Sequence, residues 1–226
     1  MTRPMIVAID GPSGAGKGTI ARLLAARLGL PHIDTGAMYR AVGLAALRRG
    51  VAWEDEAALT RLAEGALIAF VPNEVGQRVL LDGEDVSAEI RAERVSQAAS
   101  RVSTVPGVRR ALVRLQREMG RRAGAVMEGR DIGTVVFPDA DLKVYLTAAE
   151  AERAARRHKE LEERGARLTL EETLAELRER DGRDSGRVHD PLRPAEDAHE
   201  VDTTGLSVEE VVERVLALLA ERKRAN

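Results

Sequence analysis

The residues best placed for chemistry lie near the start of the chain. Gly11-Pro12-Ser13-Gly14-Ala15-Gly16-Lys17-Gly18-Thr19 follows a short apolar run directly. Gly11, Gly16 and Lys17 have the spacing of a phosphate-binding loop. Glycines let the backbone turn tightly, so that its N–H groups face phosphate oxygens. A helix beginning at Lys17 adds the partial positive charge of its N-terminus. Lys17 supplies a full charge for the outer phosphates. The residue after Lys17 is Gly18, and the hydroxyl comes one place later at Thr19. The usual metal-binding hydroxyl is therefore displaced, and no protein ligand to a metal is assigned.

Such a loop identifies the phosphoryl donor and leaves the acceptor open. A regulatory GTPase needs an Asn-Lys-x-Asp base-reading motif, which the sequence lacks. A kinase of alcohols needs a general base at the acceptor hydroxyl. A kinase of phosphate acceptors does not, because its acceptor oxygen is already ionised near neutral pH (second phosphate pKa about 6). It needs arginine forks to bring two polyanions together. Arg40 closes the segment Asp34–Arg40, Arg130 lies in Glu128–Thr134, and Arg180, Arg183 and Arg187 lie in or beside a Gly-rich stretch. On a helix from about 148 to 164, Arg153, Arg156 and Arg157 share one face, read as a closing lid with Arg157 and Arg183 as its catalytic arginines.

The elements that must position these groups alternate strand and helix. Met5–Asp10 reads as a buried strand and Lys17–Leu28 as a helix capped by Gly29. Pro31–Asp34 reads as a strand, Ala37–Arg49 as a helix, and Leu67–Leu81 as a hairpin inserted into the alternation. Helices over 92–102 and 108–122 follow, then strands Ala125–Glu128 and Leu142–Leu146. Thr169 with Glu172 forms a capping box for a helix ending near Arg180. Asp181–Pro194 reads as a mobile loop. A last strand is expected at Glu200–Thr203, and a second capping box, Ser207 with Glu210, opens a final helix. The fold class is α/β, with a mostly parallel, doubly wound sheet.

Composition narrows the partners. The 226 residues suffice for one α/β domain. Net charge is −2 and only five residues are aromatic, which speaks against a nucleic-acid binder. No apolar run approaches the roughly 20 residues of a membrane span. There is no cysteine, so disulfides and thiolate metal sites are excluded, and a cytoplasmic location is expected. The four histidines lack metal-ligand spacing.

Four segments together resemble the bacterial cytidylate kinase family over nearly the whole chain: Ile9–Thr19, Asp34–Arg40, Gly129–Pro138 and Arg180–Asp184. The resemblance implies a P-loop NTPase fold with a five-stranded parallel core sheet flanked by helices. It also implies an inserted monophosphate-binding subdomain at about 35–100, containing the hairpin, and a short helical lid at about 150–188. It implies ATP as phosphoryl donor, CMP and dCMP as acceptors, Mg²⁺ held mainly by nucleotide and water, and a monomer. By position, Thr35 and Arg40 would lie at the substrate phosphate. Ser100, Arg109 and Asp131 would read cytosine, Arg180 and Asp184 would hold ribose, and Arg130 and Arg187 would clamp the transferring group. Asp131 as acceptor with Arg and Ser donors suits the edge of cytosine. Two alternatives stay open: a kinase of another small phosphate acceptor, such as UMP, and a non-catalytic nucleotide-binding module.

Overall fold

A computed structural model describes residues 3–73, 76–163, 165 and 167–225. The chain divides into two compact units, one of residues 1–32 with 123–226 and one of residues 33–122.

The first unit is built on β1 (Ile6–Asp10), β6 (Ala125–Glu128), β7 (Leu142–Thr147) and β8 (His199–Asp202). With β2 (His32–Asp34), inside which the division falls, they form a five-stranded sheet in the order β2-β6-β1-β7-β8. The central pairings are parallel, with Ile6 opposite Ala125 and Val7 opposite Leu142. Every residue of β1 is buried, as a strand covered on both faces by helices requires. Helices α1 (Lys17–Leu28) and α8 (Val208–Ala225) press Ile20, Leu24, Val211, Val212 and Val215 into one apolar cluster with Val7, Ile9, Val144 and Leu146. This layering is what holds the chain following β1 over the strand ends.

Helices α6 (Glu150–Glu163) and α7 (Leu170–Ser185) also belong to this unit. The capping box at the start of α7 is formed: Thr169 and Glu172 exchange side chain-to-backbone hydrogen bonds. The one at α8 is formed too, by Ser207 and Glu210. The sequence-based boundary at the other end of α7 needs correction. The helix does not stop near Arg180 but runs to Ser185, so the first five residues of the expected loop are helical. Gly182 weakens the helix locally by about 1 kcal/mol. Asp184, buried against Arg130 and Arg187, anchors the extra turn by contacts that local composition does not announce. Arg164, the expected end of α6, lies outside the described residues.

The second unit contains α2 (Thr35–Arg48), α3 (Glu56–Gly65), α4 (Glu93–Val102) and α5 (Pro106–Ala123), together with an antiparallel sheet. The expected hairpin is present as β3 (Ile68–Asn73) and β4 (Gly76–Leu81), while Glu74 and Val75 of its turn lie outside the described residues. A third strand, β5 (Glu84–Asp85), joins β4, and α3 is capped by the Asp55 side chain. Neither was expected from the sequence. Gly43 lets α2 approach α4 closely: a Cβ there would stand 2.9 Å from the backbone nitrogen of Ala99. Helices α2 and α4 thereby fix Thr35, Arg40 and Ser100 on one packed scaffold.

Candidate active site

Gly11 leaves β1 at φ +146°, and a Cβ on it would stand 2.1 Å from the carbonyl oxygen of Leu146. Only glycine fits, so the loop turns over the end of β7. Pro12, Ser13, Gly14, Ala15 and Gly16 carry the chain to α1, whose N-terminal cap is Gly16 in the left-handed region. Lys17 is 7% exposed, and its Nζ donates to the carbonyl of Pro12 at 2.6 Å. Burial, then the neighbouring Arg130, pulls the Lys17 ammonium down to about 7, with Arg180 acting the same way and Glu128 and Asp184 opposing. An arriving phosphate reverses that balance by supplying the anion the site lacks.

Gly18 has a local explanation. A Cβ there would stand 3.1 Å from Oε1 of Glu128, the last residue of β6. That carboxylate meets Nε2 of His32 at 3.1 Å. Space that a Ser or Thr side chain would need is thus taken by an acidic group, and Thr19 is exposed.

A second group of residues follows β6. Arg130 Nε donates to Oδ2 of Asp184 at 2.9 Å, and Arg187 pairs with the other oxygen of the same carboxylate. The Asp184 side chain is 4% exposed. Burial alone would raise its pKa, but Arg130, Arg187 and Arg180 outweigh this and hold the carboxyl below the usual range. Asp131, 5% exposed, precedes a single π-helical turn, Ile132–Val136. Asp10, at the end of β1, pins that turn by accepting from the backbone N–H groups of Ile132 and Gly133, both at 2.8 Å. Burial pushes Asp10 up to about 6 against those two hydrogen bonds. Asp10 was not singled out from the sequence; the signal was an acidic residue ending an otherwise apolar strand.

The α6 arginines divide. Arg157 donates to Glu160 at 3.0 Å, and Arg183 of α7 lies 3.4 Å from Glu179. Arg156 binds the side chain and carbonyl of Thr203, each at 2.9 Å. Arg153 is bonded to the phosphate loop, donating to the carbonyl of Ser13 at 3.0 Å. Equal spacing on one helical face did not distinguish these three; their partners do.

In the unit of residues 33–122, Asp34 caps α2 through the N–H of Ala37 at 2.9 Å and accepts from Arg40 Nη2 at 2.7 Å. Gly36 makes room for this pair, since a Cβ there would stand 3.0 Å from Arg40 Nη1. Thr35 is buried. Arg109 of α5 is 2% exposed and donates to the hydroxyl of Tyr39 at 3.4 Å. Ser100 of α4 has a buried Oγ without a hydrogen-bond partner, as does Nε of Arg40. A buried hydroxyl left unsatisfied costs about 1–3 kcal/mol, which a ligand hydrogen bond would recover.

Comparison with known proteins identifies the family of the chain. The family model described as cytidylate kinase matches residues 7–221. A cytidylate kinase of Geobacter sulfurreducens is 53% identical over 224 residues, covering 99% of this chain and 96% of its own. One of Aeromonas hydrophila is 49% identical over 212 residues, covering 94% and 92%. Among solved structures, a gluconokinase from Sinorhizobium meliloti superposes with a TM-score of 0.50 at 16% identity, covering 98% of this chain and 94% of that one. That likeness concerns the fold alone. With the match running from β1 into α8, the chain belongs to the cytidylate kinase family.

Proposed function

We infer that the protein transfers the γ-phosphoryl group of ATP to CMP or dCMP, giving CDP or dCDP and ADP. The observation that carries a phosphate acceptor is the state of the acidic groups near Lys17. Asp184 is held ionised between two arginines, and a carboxylate stabilised in that way is a weak base. Asp10 spends both oxygens on backbone N–H groups. Glu128 faces His32. An acceptor that must lose a proton is poorly served here, whereas a nucleotide phosphate arrives ionised.

The loop amides and Lys17 would hold the donor phosphates. Arg130 and Arg187 would offer guanidinium groups to the transferring group, with Arg180 and Asp184 at the acceptor ribose. Thr35 and Arg40 would take the acceptor phosphate, and Ser100, Arg109 and Asp131 would read the base. The unsatisfied Ser100 hydroxyl supports that last role. Residues 33–122 would serve as the monophosphate-binding part, with Arg157 and Arg183 on a lid of α6 and α7. Catalysis then rests on in-line positioning and fixed charge.

Magnesium fits as an ion carried by the nucleotide. The loop offers N–H donors, Gly18 removes the hydroxyl next to Lys17, and Glu128 is engaged by His32. When bound, the ion would neutralise charge on the donor's phosphate oxygens. No described helix is long and apolar enough to cross a membrane. A cytoplasmic monomer is part of the same reading.

A coupled assay of ADP release tests the acceptor. With ATP, CMP and dCMP should exceed UMP and AMP by about tenfold or more in kcat/KM, the scale of one or two base-reading contacts. Equal rates with all four would sink the base-reading assignment, and ATP binding without ADP release would make the protein a binding module.

A further inference from the structure

The peptide group of Ser13, at the tip of the phosphate loop, is held from both sides. Its carbonyl accepts from Arg153 Nη1 at 3.0 Å, and its N–H donates to Oδ1 of Asp181 at 3.4 Å. The same Arg153 nitrogen reaches Oδ2 of Asp181 at 2.5 Å, which closes the contacts into a ring. Arg153 is fixed in turn by its Nε, which donates to the carbonyl of Ala148 at 3.2 Å. The two side chains are only 10% and 19% exposed. Backbone packing adds to the clamp: a Cβ on Gly14 would stand 2.6 Å from the carbonyl oxygen of Arg153. Helix α6 therefore meets the loop directly, while α7 meets it through one carboxylate.

Asp181 is flanked on α7 by the groups assigned to the acceptor. Arg180 precedes it, and Asp184 lies three residues on, one turn further along the helix. A shift of α7 that follows capture of the acceptor must carry Asp181 with it. The ring cannot slip without breaking a charge-assisted hydrogen bond in a poorly solvated place. We propose that Arg153 and Asp181 are positioning residues that couple occupancy of the phosphate loop to occupancy of α7, so that ATP and CMP each tighten the other's binding. This rests on the reading that Arg180, Asp184 and Arg187 serve CMP.

Titration calorimetry on the full chain tests it, using a non-hydrolysable ATP analogue with Mg²⁺, and CMP, each alone and with the other saturating. Coupling between sites is reciprocal, so both orders of addition must give one factor. In the unaltered protein that factor should be about fivefold or more, the lower end of ordinary coupling. Asp181→Asn keeps size and one acceptor oxygen but loses the charge. Arg153→Lys keeps the charge but loses the fork. Each should bring the factor below about twofold while the affinity for either ligand alone changes less. The second variant carries the test if the first fails to fold.

A lowered Tm with unchanged coupling would overturn the proposal, because the pair would then serve stability only. Tighter analogue binding in Asp181→Asn would also overturn it, since Asp181 would then compete with phosphate for the loop. Unaltered protein that binds both ligands without coupling sinks this inference alone. Protein that binds the analogue and no CMP sinks the acceptor assignment together with it, a pattern distinct from the first.

Discussion

Lys17 and the Arg130–Asp184–Arg187 cluster are two cationic groups within one unit, and they treat charge in different ways. The cluster is half neutralised within itself, with two guanidinium groups sharing one carboxylate that is held below the usual range. Lys17 has a neutral carbonyl as its hydrogen-bond partner and burial pulls it down to about 7. The contrast separates cations oriented in advance by a carboxylate from one that gains most when an anion arrives. The shared carboxylate fixes both guanidinium groups of the cluster in place in the empty protein. An underpaired ammonium becomes fully charged when an anion arrives, so the ligand's charge is worth most there.

The strongest way to break this contrast is to remove Lys17. Lys17→Ala should lower kcat by roughly 10³, the upper range for loss of one charge-stabilising donor. The affinity for CMP should stay within a few-fold, measured by equilibrium titration. Turnover near the unaltered value would mean that the loop is not the donor site.

Removing the shared carboxylate should act on stability instead. Asp184→Asn leaves two guanidinium groups, 18% and 7% exposed, without their anion, at a cost of about 3 kcal/mol in urea unfolding. The pH dependence has a definite sign. The Asp184 carboxyl is depressed on folding, so its contribution is fully present above the unfolded value of about 4. It is lost as pH falls through the lower folded value. The variant should therefore lose stability above pH 4 and show a weaker acid limb. An unchanged unfolding midpoint would show that the arginines need no neutralising partner.

A smaller effect sharpens the comparison from the other side. Lys17 is lowered from 10.5 to about 7, so the empty folded protein binds fewer protons than the unfolded chain across that window. Its share of the stability is reduced at and below pH 7 and recovers as pH rises toward 10.5. Bound phosphate should restore the proton. Near pH 8.5, binding of the non-hydrolysable ATP analogue should take up close to one proton, read from the dependence of binding enthalpy on buffer ionisation enthalpy. No uptake would mean that Lys17 is already charged in the empty loop.

What the sequence disclosed follows from how local each signal is. The phosphate loop is written in consecutive residues, with glycines whose backbone positions admit little else, so both its place and its chemistry were readable. Strand β6 and the capping boxes at α7 and α8 are local in the same sense. The last turn of α7 was not readable, because Asp181-Gly182-Arg183-Asp184-Ser185 has the composition of a loop. What keeps it helical is Arg130, more than 50 residues away in sequence. Asp10 was missed, and Arg153 was named on the lid face but not preferred over Arg157, for a related reason. An acid at a strand end and one arginine among three on a helix face acquire meaning only from their partners, the amides of Ile132 and Gly133 and the peptide of Ser13. Ser100 and Arg109 entered through family resemblance, since a buried hydroxyl and a buried guanidinium on helices carry no pattern of their own.

The central claim is that a phosphate acceptor, already ionised, attacks without help from a side-chain base. The most direct test is the pH dependence of single-turnover transfer from ATP to CMP, repeated with an acceptor whose phosphate group has a lower pKa, such as the cytidine 5′-phosphorothioate. The rate should rise with ionisation of the acceptor, near pH 6 for CMP, and level above it. The inflection should move down with the pKa of the second acceptor. An inflection that stays at one pH for both acceptors would place the titrating group on the protein and contradict the account.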